Sequence, residues 1–330
     1  MTAIEQLDLA SADGGAPEVL RCLAQRSAAG QASALALVLA VDGSAYVGAG
    51  TLLLFGNEGR LRGWLSGGCL ERHLEERASA LLTSGGCCDW VELDQRDDAA
   101  LLAPSASGCR SLLRILLLGA ECSAAVAETA AACVDAGQPL RLRLDSSPSL
   151  ALSCGERHRQ LSLDSLAWPE LDGLTLQLRP APRVLLLGAG AESPVLIPLL
   201  RSLGFRVEVV EQRPRWLPLA AGADRLHTLP VEAGIARCTP SADDAVLLMH
   251  HDFERDRAAL AALAGLPPRW IGLLGPRRRR DDLFTLLHAD ARASLLPRLE
   301  SPVGLHLGGK GPAAIALSIA ASLQRWRHAG

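Results

Sequence analysis

The chain has 330 residues, about twice a typical single domain, so two hydrophobic cores are expected and a small disulfide- or metal-stapled scaffold is excluded. Hydrophobic residues make up 49% and charged ones 21%, a globular composition, and no apolar run reaches the roughly 18–20 residues that a bilayer-spanning helix needs. The formal net charge of -3 gives no reason to expect nucleic acid or an anionic membrane as partner.

Residues 1–20 carry Glu5, Asp8, Asp13 and Glu18 and lack a basic start followed by an apolar core, so export is not signalled and a cytoplasmic protein is expected. The nine cysteines are odd in number and contain no Cys-x-x-Cys pair, which reads as a set of reduced thiols. A helical pattern spans 17–26, followed by an apolar, strand-like run over 34–41 and a glycine-rich turn over 43–50 that holds Gly43 and Ser44. Strands over 51–55 and 61–65, joined through Gly56 and Gly59, read as a hairpin. Ser66, Gly67, Gly68 and Cys69 then lead into a charged helix over 70–82.

Cys69 stands at a helix start, where the dipole lowers a thiol's pKa and suits a soft metal centre or sulfur transfer. A buried, inert cysteine is the plain alternative. Cys109, after Gly108, is a second and weaker candidate, and the adjacent Cys87 and Cys88 read as structural. Further on, a strand over 112–118, an Ala-rich helix over 123–136 and strands over 140–144 and 159–163 are expected. Pro180 and Pro182 suggest a link over 176–182, which divides the chain at 1–178 and 179–330.

Beyond the link, short apolar strands alternate with amphipathic helices: strands at 183–187, 206–210, 245–249 and 270–274, helices at 193–203, 254–263, 277–288 and 313–324. That alternation predicts a parallel sheet covered on both faces. The expected class is therefore α/β, with an N-terminal mixed α/β domain and a C-terminal Rossmann-like parallel-sheet domain. Its strongest motif is the strand over 184–187, which turns through Gly188 and Gly190 into a helix suited to Ser193 and Pro194 at its start, with Glu211 closing the next strand. A nucleotide or phosphate would fit, with Glu211 accepting from a ribose hydroxyl. Against that, Ser193 replaces the third glycine and Glu192 puts a carboxylate where pyrophosphate would sit, so glycines serving only strand–helix packing remain the other reading.

His250, His251 and Asp252 follow a strand at the carboxyl edge of the expected sheet. They suit metal binding or proton transfer, or equally helix capping and loop hydrogen bonds. The four arginines at 277–280 read as a solvated face or as a contact for an anionic ligand. Lys310 is the single lysine of the chain and sits among Gly308, Gly309 and Gly311, ahead of Pro312 and a helix. Such a loop can cradle an anion, or be a glycine turn carrying a solvated lysine.

Taken together, these segments resemble the XdhC/CoxI family of accessory proteins for xanthine dehydrogenase and related molybdenum hydroxylases. The resemblance rests on Gly43 to Tyr46 with Gly50, on the run Gly67, Gly68, Cys69, Leu70 and Glu71, and on Gly188 with Gly190. It continues through Glu211 with Gln212 and Arg213, His251 with Asp252 and Asp256, Gly272 with Gly275, and Ser301 through Ile319. Ala191, Val47, Gly48 and His306 depart from the residues usual in that family. The resemblance implies a cytoplasmic, dimeric delivery factor rather than an enzyme. It would bind the molybdenum cofactor (molybdopterin) as cargo, protect it while its sulfido ligand is installed, and hand it to an apo-molybdenum hydroxylase, with a cysteine desulfurase as a second partner. The residues placed at the cofactor are Gly43, Ser44, Gly67, Gly68, Cys69, Gly188, Gly190, Glu211, His251 and Lys310, Cys69 being the candidate molybdenum ligand. Two other readings stay open: an NAD(P)-dependent oxidoreductase using Glu211 and His251, and a ligand-free scaffold that docks a partner.

Overall fold

What flanks the first strand explains its unbroken apolar sequence. In the computed structural model, which describes residues 15–65, 70–96, 110–145, 147–164 and 167–328, β1 (Ala34–Gly43) is the middle strand of a five-stranded antiparallel sheet. Leu35, Leu37 and Leu39 face a core shared with Val19 and Leu23 of α1 (Ala16–Ala28) and Val126 of α3 (Ala120–Ala136). Ala34, Ala36 and Val38 face the opposite core, with Leu74 and Ala78 of α2 (Glu71–Ser84). Side chains alternate between the two faces, and because both are covered the alternation vanishes from the sequence.

The strand order is β3 (Gly59–Arg62), β2 (Leu52–Gly56), β1, β5 (Ser111–Leu118) and β4 (Cys88–Asp94). A second antiparallel sheet runs β8 (Arg157–Ser162), β7 (Ser149–Cys154), β6 (Leu140–Asp145), β9 (Thr175–Leu178). Here one face is wet: Leu140, Leu142 and Leu144 are buried, whereas Arg141 and Arg143 are exposed. The inner leucines join the core under α3. The expected link over 176–182 begins later than the prolines suggest, because Leu176 pairs with Leu142 in the sheet. With a single buried residue, Leu178, that strand carries too little pattern to be read.

The chain divides into two compact units, Asp13–Pro180 and Ala181–Gly330. In the second, six strands form one parallel sheet in the order β12 (Arg225–His227), β11 (Arg206–Val210), β10 (Arg183–Leu187), β13 (Ala245–Leu248), β14 (Trp270–Leu273), β15 (Leu299–Glu300). Counted within the unit, this is the order 3-2-1-4-5-6 of the doubly wound dinucleotide-binding fold. One face is covered by α4 (Ser193–Ser202) and α9 (Pro312–Arg327). The other is covered by α5 (Val231–Cys238), α6 (Phe253–Leu263), α7 (Arg277–Thr285) and α8 (Ala289–Leu295). The single helix expected over 277–288 is thus shorter, and a new helix starts after His288, whose backbone is extended. Among the described residues no helix is long and apolar enough to cross a membrane.

Candidate functional site

In an open parallel sheet the ligand crevice lies outside the carboxyl ends of the strands, where the strand order reverses. Here that point falls between β10 and β13, whose ends run into Gly188 and His250. Gly188 is in the left-handed region (φ 93°), and a Cβ at this position would lie 2.8 Å from both N and Cα of His250. Only glycine lets the two loops touch backbone to backbone.

Polar groups around this contact satisfy one another. Glu211, 2% exposed, receives the N–H of Ala189 at 3.0 Å and that of Arg213 at 2.8 Å. The Arg213 guanidinium donates to both carboxylate oxygens, at 2.9 and 2.6 Å, and its third arm donates to the His250 carbonyl at 3.0 Å. Burial pushes the Glu211 carboxyl up, but the Arg213 hydrogen bonds and the two backbone N–H groups outweigh burial and bring it down to about 2. The N–H of Gly190 donates to Ser193 Oγ at 3.0 Å. Two of the amides that a pyrophosphate would use are therefore engaged by the protein's own side chains, Glu211 and Ser193.

His250 is buried, and its Nδ1 lies 3.0 Å from Asp256 Oδ1; the other Asp256 oxygen accepts from Arg279 at 2.8 Å. Of the arginine run at 277–280, Arg279 thus turns inward while Arg278 is 93% exposed. His251 stands at φ 53°, unusual for a residue with a side chain, and its half-exposed ring places Nε2 3.3 Å from Oε2 of buried Glu192. A Cβ on Gly190 would come within 2.9 Å of that Glu192 oxygen and 3.1 Å of His251 Nε2. Asp252 caps α6 by accepting from the Arg255 N–H at 3.1 Å and pairs with the Arg255 side chain. This imidazole–carboxylate contact lies at the carboxyl edge of the sheet, beside the point where the strand order reverses.

The structure thus brings Gly188, Gly190, Glu211 and His251 together, while Lys310 shares no hydrogen bond or ion pair with them among the described residues. Lys310 is exposed in a loop where Gly308, Gly309 and Gly311 all have positive φ, directly before α9. Among the described residues no hydrogen bond uses the N–H groups of Gly308, Gly309 or Lys310. In the other unit, Gly43 (φ 91°) ends β1 where a Cβ would collide with the Arg110 carbonyl oxygen, and the Ser44 N–H donates to that same oxygen at 2.9 Å. Gly67, Gly68, Cys69 and Cys109 lie outside the described residues. The chain on either side of 66–69 is joined by Glu71, 3% exposed, whose carboxylate accepts the Leu65 N–H at 2.9 Å.

Sequence reasoning names Arg213, Asp256 and Glu71 only as parts of the family resemblance, and reads Arg279 with its run as a solvated face or an anion contact; it gives none of them a partner. For Arg213 a signal is present, since a Glu and an Arg two apart at a strand end can fold onto each other. Asp256 and Arg279 are 23 positions apart and meet only through tertiary packing.

Residues 184–323 match the model of the XdhC Rossmann domain, and residues 27–92 match the model of the XdhC and CoxI family. A Bacillus subtilis protein described as a probable xanthine dehydrogenase subunit is 29% identical over 315 residues, covering 89% of this chain and 92% of the relative. The molybdenum cofactor insertion chaperone PaoD of Escherichia coli is 22% identical over 306 residues, 92% of this chain and 86% of the chaperone. A crystal structure described as a xanthine dehydrogenase from Bacillus halodurans superposes with a TM-score of 0.77 at 25% identity, covering 93% of this chain and 94% of that one.

Proposed function

We propose, from the premise that this chain belongs to the XdhC and CoxI family, that it binds molybdenum cofactor and delivers it to an apo-molybdenum hydroxylase of the xanthine dehydrogenase type. The observation that carries the reading is the likeness to an insertion chaperone along 92% of the chain. In this reading the protein works in the cytoplasm as a homodimer, receives sulfur for the cofactor with a cysteine desulfurase, and releases its cargo unchanged apart from that sulfur. A phosphate calls for N–H groups and a cation, which the Lys310 loop offers; a soft ligand for molybdenum is the role that the family resemblance gives Cys69. Gly43, Ser44, Gly67 and Gly68, and separately Gly188, Gly190 and His251, are the further candidates for contact with the cargo.

The geometry gives less support to a dinucleotide oxidoreductase. Both oxygens of Glu211 are engaged by Arg213, Ala189 N–H is held by Glu211, and Gly190 N–H is held by Ser193. A ribose hydroxyl and a pyrophosphate would each have to displace an internal partner.

Molybdenum cofactor released from a purified hydroxylase should co-elute with the wild-type protein. Lys310→Ala should weaken the association at least about tenfold, in line with about 1.5–3 kcal/mol for a hydrogen bond to a charged group. If the wild type carries no cofactor while calorimetry shows micromolar NADH binding, the delivery reading fails and the oxidoreductase reading takes its place.

A further inference from the structure

We propose that Glu208, His227 and Cys238 form a binding site for one divalent cation of the zinc type, independent of the cofactor reading. Glu208 comes from β11, His227 ends the edge strand β12, and Cys238 ends α5. One ligand atom of each lies within 4.8 Å of the others. His227 Nε2 is already 3.1 Å from Glu208 Oε2. A carboxylate oxygen, an imidazole nitrogen and a thiolate are ligands zinc accepts, and with bonds of about 2.0–2.3 Å in a tetrahedron such atoms sit about 3.3–3.8 Å apart. Side-chain adjustments of about 1 Å close the present arrangement onto a metal, with water in the fourth position.

The second observation concerns Glu208 itself. It is 2% exposed, and among the described residues its Oε1 accepts no hydrogen bond. Arg206 Nη2 lies 3.3 Å from that oxygen and Arg183 Nη1 lies 3.7 Å from the other, but Arg183 is committed elsewhere. It pairs with Asp244 at 2.6 Å and donates to the Cys238 carbonyl at 2.9 Å. A carboxylate this deeply buried is costly to leave short of partners, and a cation bound through Oε2, the oxygen beside His227, adds the charge that Arg206 and Arg183 supply only in part. The same Arg183 contact, together with Thr239 at φ 41°, fixes the end of α5 and so the position of Cys238.

The charged groups facing the triad are Arg183, Asp244, Arg206 and Arg237. As the cation enters, the Cys238 thiol gives its proton to solvent, so the local charge rises by one, and Arg206, one-third exposed, has room to turn toward water. The metal ties β12, which is three residues long, and α5 to β11.

The test is a titration of the metal-stripped, full-length protein with Co2+, followed in the thiolate-to-cobalt charge-transfer absorption. One equivalent should give the band, and Zn2+ should abolish it by displacement. Cys238→Ala and His227→Gln should lose it, while Cys22→Ala should keep it. Should a variant fail to fold, alkylation of the wild type resolved by mass spectrometry serves instead: Zn2+ should slow labelling of Cys238 at least about tenfold, because the bound thiolate is no longer the nucleophile, and leave Cys22 unchanged. Absence of the band in the wild type, its survival in Cys238→Ala, or unaltered labelling of Cys238 overturns the site.

Discussion

A buried carboxylate keeps its charge only where neighbours replace the water it has lost, and Glu211 has four N–H donors doing so: Ala189 N, Arg213 N, and Nε and Nη2 of Arg213. Its folded-state pKa of about 2 lies below that of an unfolded Glu. The resulting stabilisation is therefore complete above the unfolded value and is lost as pH falls toward the folded one. A shift of this size corresponds to about 3 kcal/mol. Glu211→Gln should accordingly be less stable than wild type by about 3 kcal/mol at neutral pH, and the gap should narrow between about pH 4.5 and 2. Urea midpoints across that range check the point; a gap that stays constant with pH would mean that charge is not what Glu211 contributes.

Among the elements, the β10–turn–α4 unit has the tightest steric requirement. Gly188 combines a left-handed backbone with contact against His250, so an added methyl meets both penalties. Gly188→Ala should cost about 1–2 kcal/mol for the backbone and a further 1–3 kcal/mol or so for crowding. Gly48, exposed and with nothing within 4 Å of where a Cβ would stand, is the matched control. Gly48→Ala should stay within about 0.5 kcal/mol of wild type. Equal effects of the two substitutions on the urea midpoint would show that the crevice contact is looser than described.

On the scale of the whole molecule, each hydrophobic cluster among the described residues draws its buried residues from one unit only. Two lie between Val19 and Leu178, and two between Val184 and Leu323. A unit with its own core on both faces of its sheet has what a domain needs to fold by itself. The segment 181–330 produced separately should unfold in one cooperative thermal transition, followed by circular dichroism. A gradual, non-cooperative melt would mean that its stability depends on the remainder of the chain.

Much of the second unit is legible in the amino-acid order alone, because its signals are local. A β-branched and leucine-rich strand, a glycine turn and a Ser-Pro helix start occupy a dozen consecutive residues around Gly188, and each follows from backbone conformation that neighbours in sequence determine. The ordered blocks from Gly43 to Ile319 likewise point to the XdhC and CoxI family. Only the tertiary structure decided that Asp256 meets Arg279, that β12 and β9 are strands, and that Glu208, His227 and Cys238 stand together. These depend on which strands pair and on what burial leaves unsatisfied, and neither has a period or a fixed spacing along the chain.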